Sequence, residues 1–104
     1  MQRPTGPIFV VLRRRGPAWD RTVDMRAQHA WAEHAAFMNR LAHDGVIVLG
    51  GPFGDGERTL LVFEAPSETA VRAALAPDPW TAMGLLEIES VTPWTILLAR
   101  DNGD

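Results

Sequence analysis

The sequence predicts an α+β fold with four strands and two helices in the order β-α-β-β-α-β. Three observations carry that reading. Four short runs are apolar and rich in β-branched residues or leucine, the composition of strands. A longer stretch between the first two runs places its apolar residues on one helical arc. A second stretch between the last two runs opens with Pro66-Ser67-Glu68 and stops before Pro77, the punctuation of a helix.

The first strand is Ile8–Leu12, and the polar stretch Arg14–Val23, with Gly16, Pro17 and Trp19, reads as a loop. The first helix is expected from about Asp24, a candidate N-cap, to about Asp44, with Gly45 as its stop. On a wheel of about 100° per residue, Phe37, Ala30, Leu41, Met38, Trp31, Ala42 and Ala35 share one arc. His34 falls in the middle of it. Val46–Leu49 and Thr59–Phe63 are the next two strands, joined through the glycine-rich Gly50–Gly56 as a hairpin with a longer loop. Ser67 caps the second helix, with Glu68 in its first turn. Asp78-Pro79-Trp80 reads as a new N-cap followed by proline at the first helical position, opening a short turn Asp78–Met83 closed by Gly84. Leu86–Val91 alternates and reads as an extended approach to the last strand, Trp94–Leu98, across Pro93.

This order is the split-βαβ or ferredoxin-like sandwich, one antiparallel sheet with both helices on one face. An antiparallel sheet with one wet face alternates apolar and polar residues, yet the four runs are apolar throughout. Two helices cover one face. The other is expected to be covered by a second copy of the chain, giving a homodimer of the dimeric α+β barrel type.

A chain of 104 residues suits one domain over 1–104, with tails expected at 1–7 and 101–104. Its 46% hydrophobic content allows a packed core. With no cysteine there is no disulfide, thiol nucleophile or thiolate metal site, which fits a reducing compartment. The run Ile8–Leu12 is too short for a signal or a membrane span, so a cytoplasmic protein without membrane contact is expected. The net charge of −3 argues against nucleic acid as a partner. The basic cluster Arg13-Arg14-Arg15 reads as a solvated strand end.

His34 is the residue that calls for an explanation. A histidine in a core-facing stripe is either a buried group satisfied by its neighbours or a pocket residue able to act as general base. Its carboxylate partner has to come from elsewhere, because Glu33 points about 100° away on the wheel. Asp78 is the candidate: one oxygen caps the short helix while the other is available to orient an imidazole. Trp31 shares the arc with His34 and Trp80 follows Asp78, so convergence of the four would make an aromatic pocket for a small, flat ligand. Arg26, two turns before His34, is a candidate anion partner, and the amides around Gly51 and Pro52 are candidates at the pocket edge. His29, His34 and His43 lie on different faces, which is not the spacing of a helical metal pair, so no metal is expected. Neither Ser67 nor Ser90 stands in a nucleophile elbow, and Gly50–Gly56 is not a phosphate-binding fingerprint.

The stretches "WAEHAAFMNRLAHDG", "VIVLGGPFGDG", "LAPDPW" and "VTPW", in that order, resemble the YCII-related (YciI-like) domain family from about Asp24 to Leu98. The resemblance implies a ferredoxin-like subunit, a dimeric α+β barrel, and a pocket with a histidine–aspartate pair that on this sequence matches His34 and Asp78. The arginine-rich loop Arg13–Arg21 departs from the family pattern. The resulting expectation is a small enzyme without a cofactor, using His34 and Asp78 in acid–base elimination or isomerisation of a small organic acid or phenol. The rivals are a dimeric module that binds a small metabolite without turnover, and a purely structural dimerisation module.

Overall fold

Alternation along the first apolar run carries it past Leu12. In the computed structural model, which describes residues 4–100, strand β1 spans Ile8–Arg15, with Val11 and Arg13 buried and Arg14 exposed. The other strands are β2 (Ile47–Phe53), β3 (Arg58–Glu64) and β4 (Leu86–Pro93), and the helices are α1 (Trp31–His43), α2 (Glu68–Leu75) and α3 (Pro79–Ala82). The sheet order is β2-β3-β1-β4 with every neighbouring pair antiparallel, the ferredoxin-like βαββαβ arrangement. Among the described residues no helix is long and apolar enough to cross a membrane.

The helix boundaries follow their caps. Ser67 accepts a hydrogen bond from the Ala70 N–H and Asp78 from the Trp80 N–H, as N-caps do. After α1 the Gly45 N–H bonds to the Ala42 carbonyl and the Val46 N–H to the Leu41 carbonyl; Gly84 and Leu85 repeat this pattern after α3. These are Schellman closures, which require the positive φ that Gly45 and Gly84 adopt.

Two expected elements are corrected. α1 begins at Trp31, not near Asp24, although Asp24 does act as a cap: it opens a 3₁₀ turn at Met25–Ala27. The helical line breaks at Gln28, whose buried side chain bonds to the Asp20 and Val23 carbonyls and to the Asp20 N–H. Ala30 then turns into α1 with a left-handed backbone (φ 59°). The last strand is β4 at Leu86–Pro93, not Trp94–Leu98. Its partner β1 starts at Ile8, and the Trp94 N–H to the Ile8 carbonyl is the final rung, so the apolar run beyond it has no strand to pair with. Of the tails expected at 1–7 and 101–104, residues 1–3 and 101–104 lie outside the described residues. Within the rest, the Pro7 carbonyl accepts from the Ala65 N–H at 3.1 Å.

One face of the sheet packs on the helices. Val11, Ile47, Leu61, Phe63, Val71 and Leu75 form the main core, and Trp19, Trp80, Leu85 and Leu86 form a second one. On the opposite face Val10, Val48, Leu60 and Val62 border a cavity of about 540 Å³, together with Trp94, Ile96 and Leu98 from the segment beyond β4.

Candidate active site

The site lies where β1, α1 and α3 meet. Just beyond β1 the backbone packs closely on the turn that closes α3: the Gly16 N–H bonds to the Leu85 carbonyl at 2.8 Å, and a Cβ on Gly16 would stand 2.1 Å from the Gly84 carbonyl oxygen. That contact sets α3 against β1 and brings its cap, Asp78, onto the strand.

His34 and Asp78 come together there. His34 is the buried residue of α1, and Asp78 is fully buried. The imidazole Nδ1 lies 2.9 and 3.0 Å from the two carboxylate oxygens. Asp78 also accepts from the Trp80 N–H at 3.0 Å and from Arg13 Nη1 at 2.8 Å. Burial on its own would push the Asp78 carboxyl up; the hydrogen bonds from His34, Arg13 and Trp80, with the Arg13 charge, outweigh it and hold the group below its ordinary value. An ionised carboxylate facing Nδ1 places the imidazole proton on Nδ1. Nε2 has no hydrogen-bond partner among the described residues, and His34 lines a cavity of about 360 Å³.

The walls are aromatic. The His34 and Trp80 rings stack with centroids 3.8 Å apart. Trp31 is tilted against both, and Trp19 meets Trp80 edge-on at 5.5 Å. Trp80 is fixed in turn by its indole N–H, which donates to the His29 carbonyl at 2.7 Å. Gly50, Gly51 and Pro52 line the far side. They belong to β2, where Gly50 pairs with Leu61, Gly51 with Leu60 and Pro52 with Thr59, so the turn proper is shorter than the glycine-rich stretch suggests.

Of the residues singled out from sequence, His34, Asp78, Trp31, Trp80, Gly51 and Pro52 converge on this cavity. Asp78 does so through His34, Trp80 and Arg13 instead of lining it directly. Arg26 does not. It is exposed, with its guanidinium 5.7 Å from the Trp31 ring centre, outside the lining. Among the described residues no group of three or more His, Cys, Asp or Glu side chains is placed to hold a metal ion.

Sequence reasoning missed Arg13. It is 1% exposed, donates to Asp78 and, through Nη2, to Thr81 Oγ1 at 2.9 Å, and lines the cavity. The reading of Arg13-Arg14-Arg15 as a solvated end holds for Arg14 and fails for Arg13. The signal was the period of two: extending the strand from Val11 puts Arg13 on the helix-facing side, where an arginine needs a carboxylate.

The YCII-related domain matches residues 8–95, nearly the whole described chain. The chain belongs to the YCII-related domain family. A comparison with curated proteins finds no match. Among solved structures, this YCII-related chain is similar to 5-chloro-2-hydroxyhydroquinone dehydrochlorinase (TftG) from Burkholderia phenoliruptrix AC1100, in a complex with 2,5-dihydroxybenzoquinone. The TM-score is 0.59 at 24% identity, covering 91% of this chain and 98% of that one. The likeness is one of fold.

Proposed function

We propose that the chain is a small enzyme in which His34 is the general base, oriented by Asp78, acting on a small, flat phenol or organic acid. One observation carries the reading: an imidazole held at Nδ1 by an ionised carboxylate, with Nε2 unpartnered among the described residues, in the wall of an aromatic cavity. In that arrangement Nε2 takes a proton from an acidic O–H or C–H of the ligand, and the charge that forms on the imidazole is balanced by Asp78. Elimination or isomerisation follows from the anion so generated. A cavity of about 360 Å³ suits a single substituted ring. TftG, a dehydrochlorinase whose structure holds 2,5-dihydroxybenzoquinone, supplies the class of compound to try first.

A homodimer belongs to the same proposal. A second copy covers the sheet face that carries Val10, Leu60 and Val62, where Leu49 and Trp94 remain 46% and 47% exposed. A cytoplasmic setting accompanies it, supported by the absence of cysteine.

The test is a thermal-shift screen of hydroxylated quinones, hydroquinones and small aromatic acids, followed by turnover assays on each hit. His34→Ala is expected to stay folded, at a cost of about 1–2 kcal/mol, and to lose about 100-fold or more in turnover. Full turnover in the folded variant overturns the assignment of the base. Ligand binding with no turnover in the wild type replaces the enzyme with a metabolite-binding module.

A further inference from the structure

We propose that Arg13 is a positioning residue that sets where the His34 proton sits. The inference rests on the reading of His34 as base and goes further, to what makes it one. The guanidinium is locked between Asp78 and Thr81, and the Thr81 hydroxyl donates in turn to the Leu75 carbonyl at 2.9 Å. Among the described residues, the groups that bond to the Asp78 carboxylate are His34 from α1, Arg13 from β1, and the Trp80 N–H of α3. Of these, Arg13 is the permanent charge.

Consider the site without it. Asp78 is fully buried, and a buried carboxylate with no fixed counter-charge is costly to keep ionised. It would take a proton and become a donor. His34 Nδ1 would then accept from it, and the single imidazole proton would move to Nε2. An imidazole in that form has no lone pair to offer a ligand. Arg13 prevents this by keeping Asp78 an acceptor, which leaves the Nδ1–H tautomer as the one that fits. It does so without touching the reacting atoms, so its role is to position and not to transfer.

A merely structural arginine would not set the tautomer, and the tautomer can be read without any substrate. In long-range proton–nitrogen correlation spectra of the full chain, His34 is expected to carry its proton on Nδ1. In Arg13→Met, which keeps length and loses charge, most of the Nδ1–H signal is expected to be lost in favour of Nε2–H. Arg13→Lys restores the charge but cannot span Asp78 and Thr81 together, and should recover Nδ1–H in part. A folded Arg13→Met with an unchanged His34 spectrum overturns the proposal. The wild type decides the case if that variant does not fold: the Asp78 carboxyl carbon should report a carboxylate, with the single His34 ring proton on Nδ1. A protonated Asp78 beside an Nε2–H imidazole overturns the proposal equally. Because these readouts need no turnover, their failure is distinct from failure of the catalytic reading, which the His34→Ala assay addresses.

Discussion

The imidazole of His34 lies flat against the indole of Trp80, 3.8 Å between centroids and 6° from parallel. Asp78 fixes one edge of the imidazole and Trp80 fixes its plane, so the ring has no rotational freedom left to lose when a ligand arrives. Trp80 is itself 1% exposed and tied by its N–H to the His29 carbonyl.

Trp80→Phe retains an aromatic face and gives up that hydrogen bond. The expected loss is about 1 kcal/mol from the bond, plus the smaller ring's packing deficit. Trp80→Ala opens a cavity in the second core and should cost about 3–5 kcal/mol. Urea denaturation of the two variants checks the order; equal losses would mean that the indole is not packed as described.

Asp78→Ala leaves the Arg13 guanidinium buried without its carboxylate. A loss of about 3–5 kcal/mol is expected. Replacing both, as Arg13→Met with Asp78→Ala, removes the stranded charge, so the double variant should be more stable than Asp78→Ala alone. A double-mutant cycle by chemical denaturation measures the coupling, and strict additivity would contradict the ion pair.

Acid should act on the same pair. Because the Asp78 carboxyl is held low in the folded chain, the stability it contributes is fully present above its unfolded value of roughly 4 and is lost as the pH falls through the folded value. Melting temperature should therefore fall on acidification below roughly pH 4. Asp78→Asn should flatten that limb, and a limb of unchanged depth would assign it to other carboxylates.

Ala30 carries a Cβ in the left-handed region, a conformation that costs of order 1–2 kcal/mol for a residue other than glycine. Ala30→Gly should thus be neutral or stabilising by up to about 1 kcal/mol. Ala36→Gly, on the exposed side of α1, serves as the control and should lose about 1 kcal/mol. Equal losses for both would remove the strain argument.

Leu60→Glu places a charge on the apolar sheet face away from the helices. If a second copy covers that face, the wild type should sediment as a dimer at micromolar concentration and melt higher as concentration rises. The variant should be monomeric. A wild-type monomer with a concentration-independent midpoint would refute the dimer.

Local chemistry made much of this legible. Gly45 and Gly84 end their helices because they are the residues that tolerate the closing conformation, and Asp78 and Ser67 cap because their oxygens reach the nearby N–H groups. His34 stood out because the wheel put it among apolar neighbours. What stayed hidden depended on distant partners. Arg13 is buried because a carboxylate 65 residues away meets it; the strand period puts Arg13 on the helix-facing side, but the partner that lets it stay there is not local. The place of the last strand depends on a distant partner too: Trp94–Leu98 is the more apolar run, but pairing is decided by where β1 begins, and β1 begins at Ile8, opposite Trp94. The start of the first helix is hidden because the break at Gln28 is made by its own side chain reaching back to Asp20.

The strand order gives the cavity a stiff wall and a yielding one. Arg13 sits on β1, hydrogen-bonded to a strand on either side, so its backbone cannot draw away from Asp78 without parting the middle of the sheet. Gly51 and Pro52 sit on β2, which has a neighbour on one side only. Amide hydrogens of β1 should exchange with the slow clock of whole-molecule unfolding, and those of β2 on a faster, local one. Changes of shape that admit a different ligand can then accumulate along the β2 rim while the proton-handling apparatus stays where it is.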